Sequence, residues 1–467
     1  MKALVKILFT LLLLPNMANA FDFYWEGNYS AEGNYLNGVD LGNSTDGDKA
    51  YINHHLLLRP EIILYEGVSF HMGLDTLNGT GSTAPSTRVG QILGGEFSSS
   101  TSAYAADVPE PFLQRQIQKS RGVDINEAYL KYSHTNGELR VGRQPLEFGY
   151  GAFYNAGYGV FDHWFTNRDG ISYNFNMGSL SFTPMFNFMT SAVRSGEQTT
   201  EFGLKFNFGV EDTGLDLGFM FLQRQVSASQ NSLNPVPGVT TGAAQPITYG
   251  LFYNRQKTNL RYGFEALFQD GKLGDGINSK GFGLAGEVEW NLKSWSFSGK
   301  FGYAQGDDPN DSSSISSVAM HRNYNLGMIL FNHPLGASSF DPLGTDVRGR
   351  RGALSSADYS SDLVVDTESI SNAMYLAPSV SYSFSNKWNL DSTLVFAWLD
   401  ETQVAGVGEV SSFLGSEIDL TLTYNPTENI TYRTTLGFFM PGSAFEGAGS
   451  LETDTSFGAT TSLGINF

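Results

Sequence analysis

The stretch that decides the fold is "EFGLKFNFGVEDTGLDLGFMFLQRQV", residues 201–226. Large apolar residues stand at every second position from 202 to 208, and again at every second position from 215 to 221. This period of two is that of a β-strand, because successive side chains point to opposite faces. The polar break "EDTG" at 211–214 separates the two runs. The stretch therefore predicts a β-hairpin with one strongly apolar face.

The same alternation recurs along the rest of the chain, and no stretch after residue 20 has a helical period. It predicts eighteen strands, at 22–36, 50–64, 67–77, 124–134, 137–145, 169–176, 180–190, 200–210, 215–226, 246–256, 260–269, 281–292, 295–304, 373–384, 388–399, 416–424, 430–440 and 455–467. The weak pattern at 22–36 and at 246–256 leaves a count of sixteen open.

The connections between these strands alternate between short turns and long loops, the longest at 305–372. A barrel in an outer membrane has tight periplasmic turns and long extracellular loops. The sequence therefore predicts an all-β fold, a transmembrane antiparallel barrel with both termini in the periplasm. Tryptophans beside short turns and Tyr303 and Trp398 beside long loops fit two aromatic girdles. A soluble β-sandwich is the alternative, but it would not need so apolar a face on every strand.

Both ends of the chain fit this prediction. Residues 1–20, "MKALVKILFTLLLLPNMANA", have the basic head, short apolar run and small-residue end of a cleaved signal peptide. Residues 21–467 would then form a single barrel domain. Phe467, the last residue, lies on the apolar face of the last strand. A closing strand of this kind resembles the C-terminal signature that the barrel-assembly machinery recognises. That resemblance implies this machinery as a partner during insertion.

Composition excludes several kinds of site. The chain has no Cys, so disulfides, zinc-thiolate sites, iron–sulfur clusters and c-type haem are ruled out. Lys and Arg number 28 and Asp and Glu 47; without Lys2 and Lys6, the balance is 26 against 47, or −21. This charge argues against a nucleic-acid partner.

The polar positions that alternate with the apolar ones along each strand predict the lining of an aqueous pore. About eighteen strands are enough to enclose a channel, and a dry interior would not hold so many charges. The predicted pore-lining residues are Asp75, Glu127, Lys131, Arg140, Glu201, Lys205, Asp216, Arg261, Glu265, Glu287, Glu289, Lys300, Asp391, Glu417, Asp419 and Arg433.

The signs of these charges are unevenly distributed. Six acids lie on the predicted strands 11 to 16, whereas Lys131 and Arg140 lie on strands 4 and 5. The loop 78–123 adds candidate constriction residues, which are Arg115, Lys119 and Arg121. If that loop folds inward, opposite walls would create a transverse field across the pore. The alternative is that the charges only hydrate the wall.

The longest loop carries three further candidate features. Asp307, Asp308 and Asp311 in "GDDPNDSSS" offer oxygen ligands for a structural calcium ion, although a solvated acidic loop is the alternative. The run "NYNLGMILFNHPLG" (323–336) is too apolar for an exposed loop, so it should fold into the mouth or pack on another loop or protomer.

The third feature is the run "DVRGRRG". Its Arg348, Arg350 and Arg351 are further constriction candidates for anionic solutes or lipopolysaccharide phosphates, or else form a solvated turn. Alternation places Arg143 on the apolar face of its strand. It is expected either to turn inward at a bulge near Gly142 or to snorkel outward to the headgroups.

Four segments carry a family resemblance: "LRVGRQPLEFGYG" (139–151), "RDGISYNF" (168–175), "YAQGDDPND" (303–311) and "NYNLGMILF" (323–331). They resemble the outer-membrane porins related to alginate-export channels, which implies an eighteen-stranded barrel and a channel. Alginate exporters line their pore with arginines, whereas carboxylates outnumber bases here. That departure puts alginate itself in doubt.

These observations predict a porin in the bacterial outer membrane for passive diffusion of small hydrophilic solutes. Its surroundings would be membrane lipid and lipopolysaccharide, as a monomer or a trimer. A non-conducting barrel that acts as scaffold, receptor or sheath for a partner is the alternative. An enzyme is not expected, because the seven histidines are scattered with no serine–histidine–acid spacing. No cofactor is expected beyond the calcium candidate.

Overall fold

The fold is described from a computed structural model of the chain. The structure describes residues 22–39, 41, 48–76, 123–190, 199–228, 242–308, 310–311, 313–333, 335, 369–404, 408–446 and 454–467. The predicted signal peptide at 1–20 lies outside these residues.

Eighteen antiparallel strands form one closed sheet. They are Asp22–Asn37 (β1), Asp48–Tyr65 (β2), Val68–Thr76 (β3), Val123–His134 (β4), Gly137–Pro145 (β5), Asn167–Met177 (β6), Leu180–Thr190 (β7), Thr199–Val210 (β8), Leu215–Val226 (β9), Gln245–Gln256 (β10), Leu260–Gly274 (β11), Gly281–Leu292 (β12), Trp295–Ala304 (β13), Ala373–Ser383 (β14), Trp388–Leu399 (β15), Phe413–Thr427 (β16), Ile430–Pro441 (β17) and Ser456–Asn466 (β18). Each strand pairs with its neighbours in sequence, and β1 pairs with β18, so the barrel has no open edge. The count of eighteen is confirmed.

Most strand bounds match the sequence prediction within two residues, and the larger differences lie on β11 and β16. β11 continues to Gly274 through "DGKLG", whose glycines read as a loop by composition. β16 begins at Phe413, opposite a bulge in the pairing with β15. Gly415 there has a φ of +136°, a conformation that favours glycine. A bulge breaks the period of two, so alternation alone misplaces the start of this strand.

The outer face of the barrel is apolar. Trp290, Trp295 and Trp388 are all at least 40 % exposed and lie beside the short turns, where Trp388 stacks on Tyr424. Such a continuous exposed apolar surface is what a membrane-spanning barrel presents to lipid. Phe467 lies on this face as predicted, 52 % exposed, with its backbone paired to Gly27.

Helical structure is minimal in the described part of the chain. One α-helix of four residues, Ser443–Glu446, follows β17, and one 3₁₀ turn, Glu211–Thr213, joins β8 to β9. Across the described residues, there is no helix with the length and apolar character needed to cross a bilayer.

Two connections fold into the barrel. The first is the crossing segment (residues 146–166) between β5 and β6. The second is the apolar segment (residues 313–333) between β13 and β14, which begins with Ser314–Ile315 paired in parallel to the short strand Ile277–Ser279. Together they bury most of the hydrophobic cluster of the molecule against the inner wall.

Candidate functional site in the barrel interior

The crossing segment spans the inside of the barrel. Tyr150 contacts β11 and β10 at one end, where its hydroxyl donates to Asn254 Oδ1 at 3.0 Å. Further along, the Phe161 ring packs under Arg433 of β17, and His163 Nε2 lies 3.1 Å from Glu32 Oε2 of β1. Strands this far apart around a closed sheet can share one segment only through the interior. The segment therefore divides the lumen.

A wall carboxylate holds the middle of the crossing segment. Glu265 of β11 is fully buried and accepts backbone hydrogen bonds from Tyr150 at 2.8 Å, Ala152 at 3.2 Å and Phe153 at 3.3 Å. Gly149 lies against this carboxylate with a φ of +61°, so its lack of a Cβ permits the close approach. These bonds satisfy three backbone N–H groups that would otherwise have no acceptor in the interior.

The apolar segment is held in the same way on the other side of the barrel. Glu417 of β16 accepts N–H bonds from Ile329 and Leu330, each at 2.7 Å, and Asp419 accepts one from Met328 at 3.0 Å. The apolar residues of this segment are buried, as the sequence predicted: Leu326, Met328, Ile329, Leu330 and Phe331. It packs inside the barrel, against the wall of β16 to β18.

Glycines on the inner wall make room for both segments. A Cβ on Gly250 would lie 2.8 Å from the Phe148 ring, and one on Gly283 would lie 2.6 Å from the Phe153 ring. A Cβ on Gly458 would lie 2.8 Å from Met328. The inner surface of the barrel wall therefore fits the inserted residues at these glycines.

Cations on the wall lie over the aromatic rings of the crossing segment. Arg59 lies 4.4 Å from the ring centre of Tyr158, and Arg433 lies 4.2 Å from that of Phe161. Arg59 also donates to the carbonyl oxygen of Gly157 at 3.0 Å. Cation–π contacts of this kind add roughly 0.5–2 kcal/mol each when partly desolvated.

Six of the ten predicted acidic pore residues are buried under these segments or in ion pairs instead of standing in bulk water. Besides Glu265, Glu417 and Asp419, they are Asp75, Glu127 and Glu201. A buried charge is tolerated when it is paired and hydrogen-bonded. Asp75 is hydrogen-bonded to His55 Nε2 at 2.9 Å, and Glu127 lies 3.5 Å from Arg59.

Glu201 is the centre of a buried ion cluster on the inner wall. Its Oε1 accepts from Arg168 Nε at 2.6 Å, and its Oε2 accepts from Arg224 at 3.0 Å. Asn187 donates to the same carboxylate at 3.1 Å. The sequence identified Glu201 but not its two arginine partners: Arg168 lies one residue before the predicted strand 169–176, and Arg224 lies inside the predicted strand 215–226 but was not among the predicted pore residues.

The remaining predicted residues make shorter-range contacts on the inner wall. Lys131 lies 3.4 Å from Glu61, Arg140 Nε donates to Glu138 at 2.5 Å, and Lys205 donates to the carbonyl oxygen of Glu147 at 3.2 Å. The others are arranged as follows: Arg261 with Glu287 at 3.5 Å and Glu289 at 3.1 Å, Lys300 with Glu287 at 3.9 Å, Asp216 with Asn254 and Asp391 with Asn389.

These partners reduce the free charge of the predicted acidic wall. Three of its six acids bind backbone amides, and Glu287 and Glu289 share Arg261. The transverse field would thus depend mainly on the candidate constriction residues. These are Arg115, Lys119, Arg121, Arg348, Arg350 and Arg351, and all of them lie outside the described residues.

The calcium candidate shows carboxylates turned onto their own loop. Asp307 accepts from the Ser316 N–H at 2.9 Å, Asp308 from the Asn310 N–H at 2.8 Å, and Asp311 from the Ser313 N–H at 2.7 Å. Among the described residues, no three acidic or histidine side chains converge as metal ligands. The calcium site stays a prediction.

Arg143 takes the outward alternative. The β4–β5 register is continuous past Gly142, so no bulge redirects the side chain. On the outer face of the barrel, Arg143 donates two hydrogen bonds to Asp169 of β6, at 2.6 and 2.8 Å.

The sequence did not predict that the crossing segment folds into the barrel, because the candidate constriction loops were chosen by their charge. The crossing segment carries Phe148, Tyr150, Phe153, Tyr154 and Tyr158 within eleven residues. So many aromatic side chains in a connection would be costly in water, the same signal that located the apolar segment.

No protein-family model matches the chain, and no curated protein matches it. Among solved structures, it is similar to a BenF-like porin from Pseudomonas fluorescens Pf-5, with a TM-score of 0.51, 10% identity, and 96% of this chain and 98% of that chain covered. It is also similar to OccK9 (OpdG) of Pseudomonas aeruginosa, with a TM-score of 0.50, 10% identity and 95% and 98% covered. At this identity, the likeness establishes a shared fold, the porin-type eighteen-stranded barrel.

Proposed function

We propose that the chain is a porin of the bacterial outer membrane, which passes small hydrophilic solutes by diffusion through a constricted, water-filled lumen. The observation that carries this proposal is that the outer face of the barrel is apolar, whereas its inner face carries charged side chains. Lipid outside and water inside are the two media that these surfaces fit. The short turns and both termini would then face the periplasm.

The inserted segments set the proposed selectivity. They narrow the lumen and leave charged and amide side chains of β4 to β8 and of β11 to β13 beside the path. Solutes would therefore be selected by size and by hydrogen bonding, as in other constricted pores. The structural neighbours named above support a porin-type barrel; the resemblance to alginate-export channels rests on the sequence segments alone, and we do not extend it to alginate.

A second candidate is a non-conducting barrel that serves as scaffold or receptor. The buried hydrophobic cluster inside the barrel favours it, because inserted segments that fill the lumen completely would stop diffusion. Lipopolysaccharide contact, insertion by the assembly machinery and a monomeric or trimeric state are compatible with both candidates.

Single-channel recording of the purified full chain in planar lipid bilayers separates the two. The porin proposal predicts stepwise ohmic conductance in potassium chloride. A folded, heat-modifiable barrel that inserts and gives no conductance steps would instead support the scaffold.

A further inference from the structure

A polar pocket lies on the inner wall between β5 and β8, beside the crossing segment. Its volume is about 140 Å³. Amide and hydroxyl side chains dominate its lining, including Gln144, Ser172, Asn174, Thr183, Asn187 and Asn207. The pore-lining candidates Arg140 and Lys205 also border it.

Two buried amide atoms in this pocket have no hydrogen-bond partner among the described residues. They are Nε2 of Gln144, which is 5 % exposed, and Oδ1 of Asn187, which is 1 % exposed. Leaving a buried polar atom without a partner is unfavourable, so such atoms beside a pocket call for a partner from outside the chain, either a water molecule or a ligand group.

The hydrogen bonds of the two amides show which atom of each is left over. Asn187 Nδ2 donates to the Glu201 carboxylate, which can only accept, so Oδ1 must be the atom left over. The Gln144 Oε1 atom accepts from the Ser172 hydroxyl at 2.5 Å, which leaves its NH₂ group as the spare donor. The pocket thus offers one spare acceptor and one spare donor.

A ligand that matches them must offer both a hydrogen-bond donor and a hydrogen-bond acceptor. A hydroxyl offers both, whereas a carboxylate cannot donate and an ammonium cannot accept. The charges in the lining are largely paired: Arg140 with Glu138 and Arg168 with Glu201. The lining therefore favours a neutral ligand rich in hydroxyl groups.

We propose that this pocket is a binding subsite of the channel for the hydroxyl groups of a neutral polyhydroxylated solute, a sugar or polyol. The proposal rests on the proposed porin function and names the class of solute that it selects. Gln144 donates to a ligand hydroxyl oxygen, and Asn187 accepts the hydroxyl proton.

The test uses sorbitol as the probe, with acetate and methylammonium as ionic comparisons. Saturable reduction of single-channel current is measured in bilayers, and binding to the detergent-solubilised full chain is measured by calorimetry. The Q144M and N187L variants each lose one of the two groups. N389L is the control, because both amide atoms of Asn389 are hydrogen-bonded within the wall, to Asp391 and Ser381.

Saturable sorbitol binding that weakens by roughly two- to tenfold in Q144M and in N187L, but not in N389L, is the expected result. Acetate binding in place of sorbitol would overturn the assignment and make Lys205 an anion site. Normal conductance without saturable sorbitol binding would mean that the pocket holds water only, and would refute the subsite while leaving the porin intact. If no conductance is found, the porin fails and the calorimetry still decides the subsite.

Discussion

Replacing Glu265 with leucine should release the middle of the crossing segment from the barrel wall. Three buried N–H groups, of Tyr150, Ala152 and Phe153, point at this carboxylate. Removing their acceptor leaves them unpaired at about 1–3 kcal/mol each, and the two longer bonds at 3.2 and 3.3 Å belong at the lower end of that range. The loss is therefore about 3–5 kcal/mol.

A change of this size raises the population of the detached segment by about a hundredfold or more. Because the crossing segment divides the lumen, its release should increase single-channel conductance and open-state current noise. E265Q keeps one acceptor oxygen and should fall between the wild type and E265L. Recording in planar bilayers, with thermal unfolding followed by gel mobility, measures both effects.

E289L is the matched control, because it removes the same side chain from the neighbouring strand, where Glu289 contacts Arg261 and Asn291 instead of the crossing segment. If E265L and E289L give the same conductance and the same unfolding temperature, the carboxylate does not hold the segment. The description of the divided lumen would then have to be abandoned.

Three other outcomes follow from the interior. Leucine at both Glu417 and Asp419 should free the apolar segment and raise conductance independently of Glu265, which bilayer recording of the double variant tests. G283A should destabilise the barrel by about 1–3 kcal/mol in thermal unfolding, since its Cβ would meet a ring at 2.6 Å, whereas G299A, whose Cβ finds only an ordinary contact at 3.7 Å, should not. Burial, with the neighbouring arginine, lowers the pKa of His321 to about 3. The free energy that stabilises the folded apolar segment should therefore fall by about 1.4 kcal/mol per pH unit as the pH falls below about 6.5. Hydrogen exchange of that segment should show this pH dependence in the wild type and not in H321F.

The strands could be predicted from the sequence because lipid contact imposes a local rule. Every outward position must be apolar, so a period of two survives in each strand, as at Phe202 and Leu204. The rule fails only where the backbone departs from it, as at the bulge beside Gly415.

The interior could be predicted only in part, because strand parity tells which way a side chain points but not what it meets. The inward direction of Glu265 follows from alternation. Its partners are backbone amides 112 to 115 residues earlier in the chain, and no side-chain type marks a backbone donor. The sequence therefore predicted that these carboxylates point inward, but not that they bind the backbone of the inserted segments.

The central claim is that neighbouring residues of one strand face different media, water at Lys205 and lipid at Phe206. The absence of native cysteine makes K205C and F206C clean reporters. Single-channel current is recorded while a charged, membrane-impermeant methanethiosulfonate is added from the aqueous side. We expect a stepwise change in current for K205C and none for F206C. Equal modification of both, or a current that is unaffected at K205C although the thiol reacts, would contradict it.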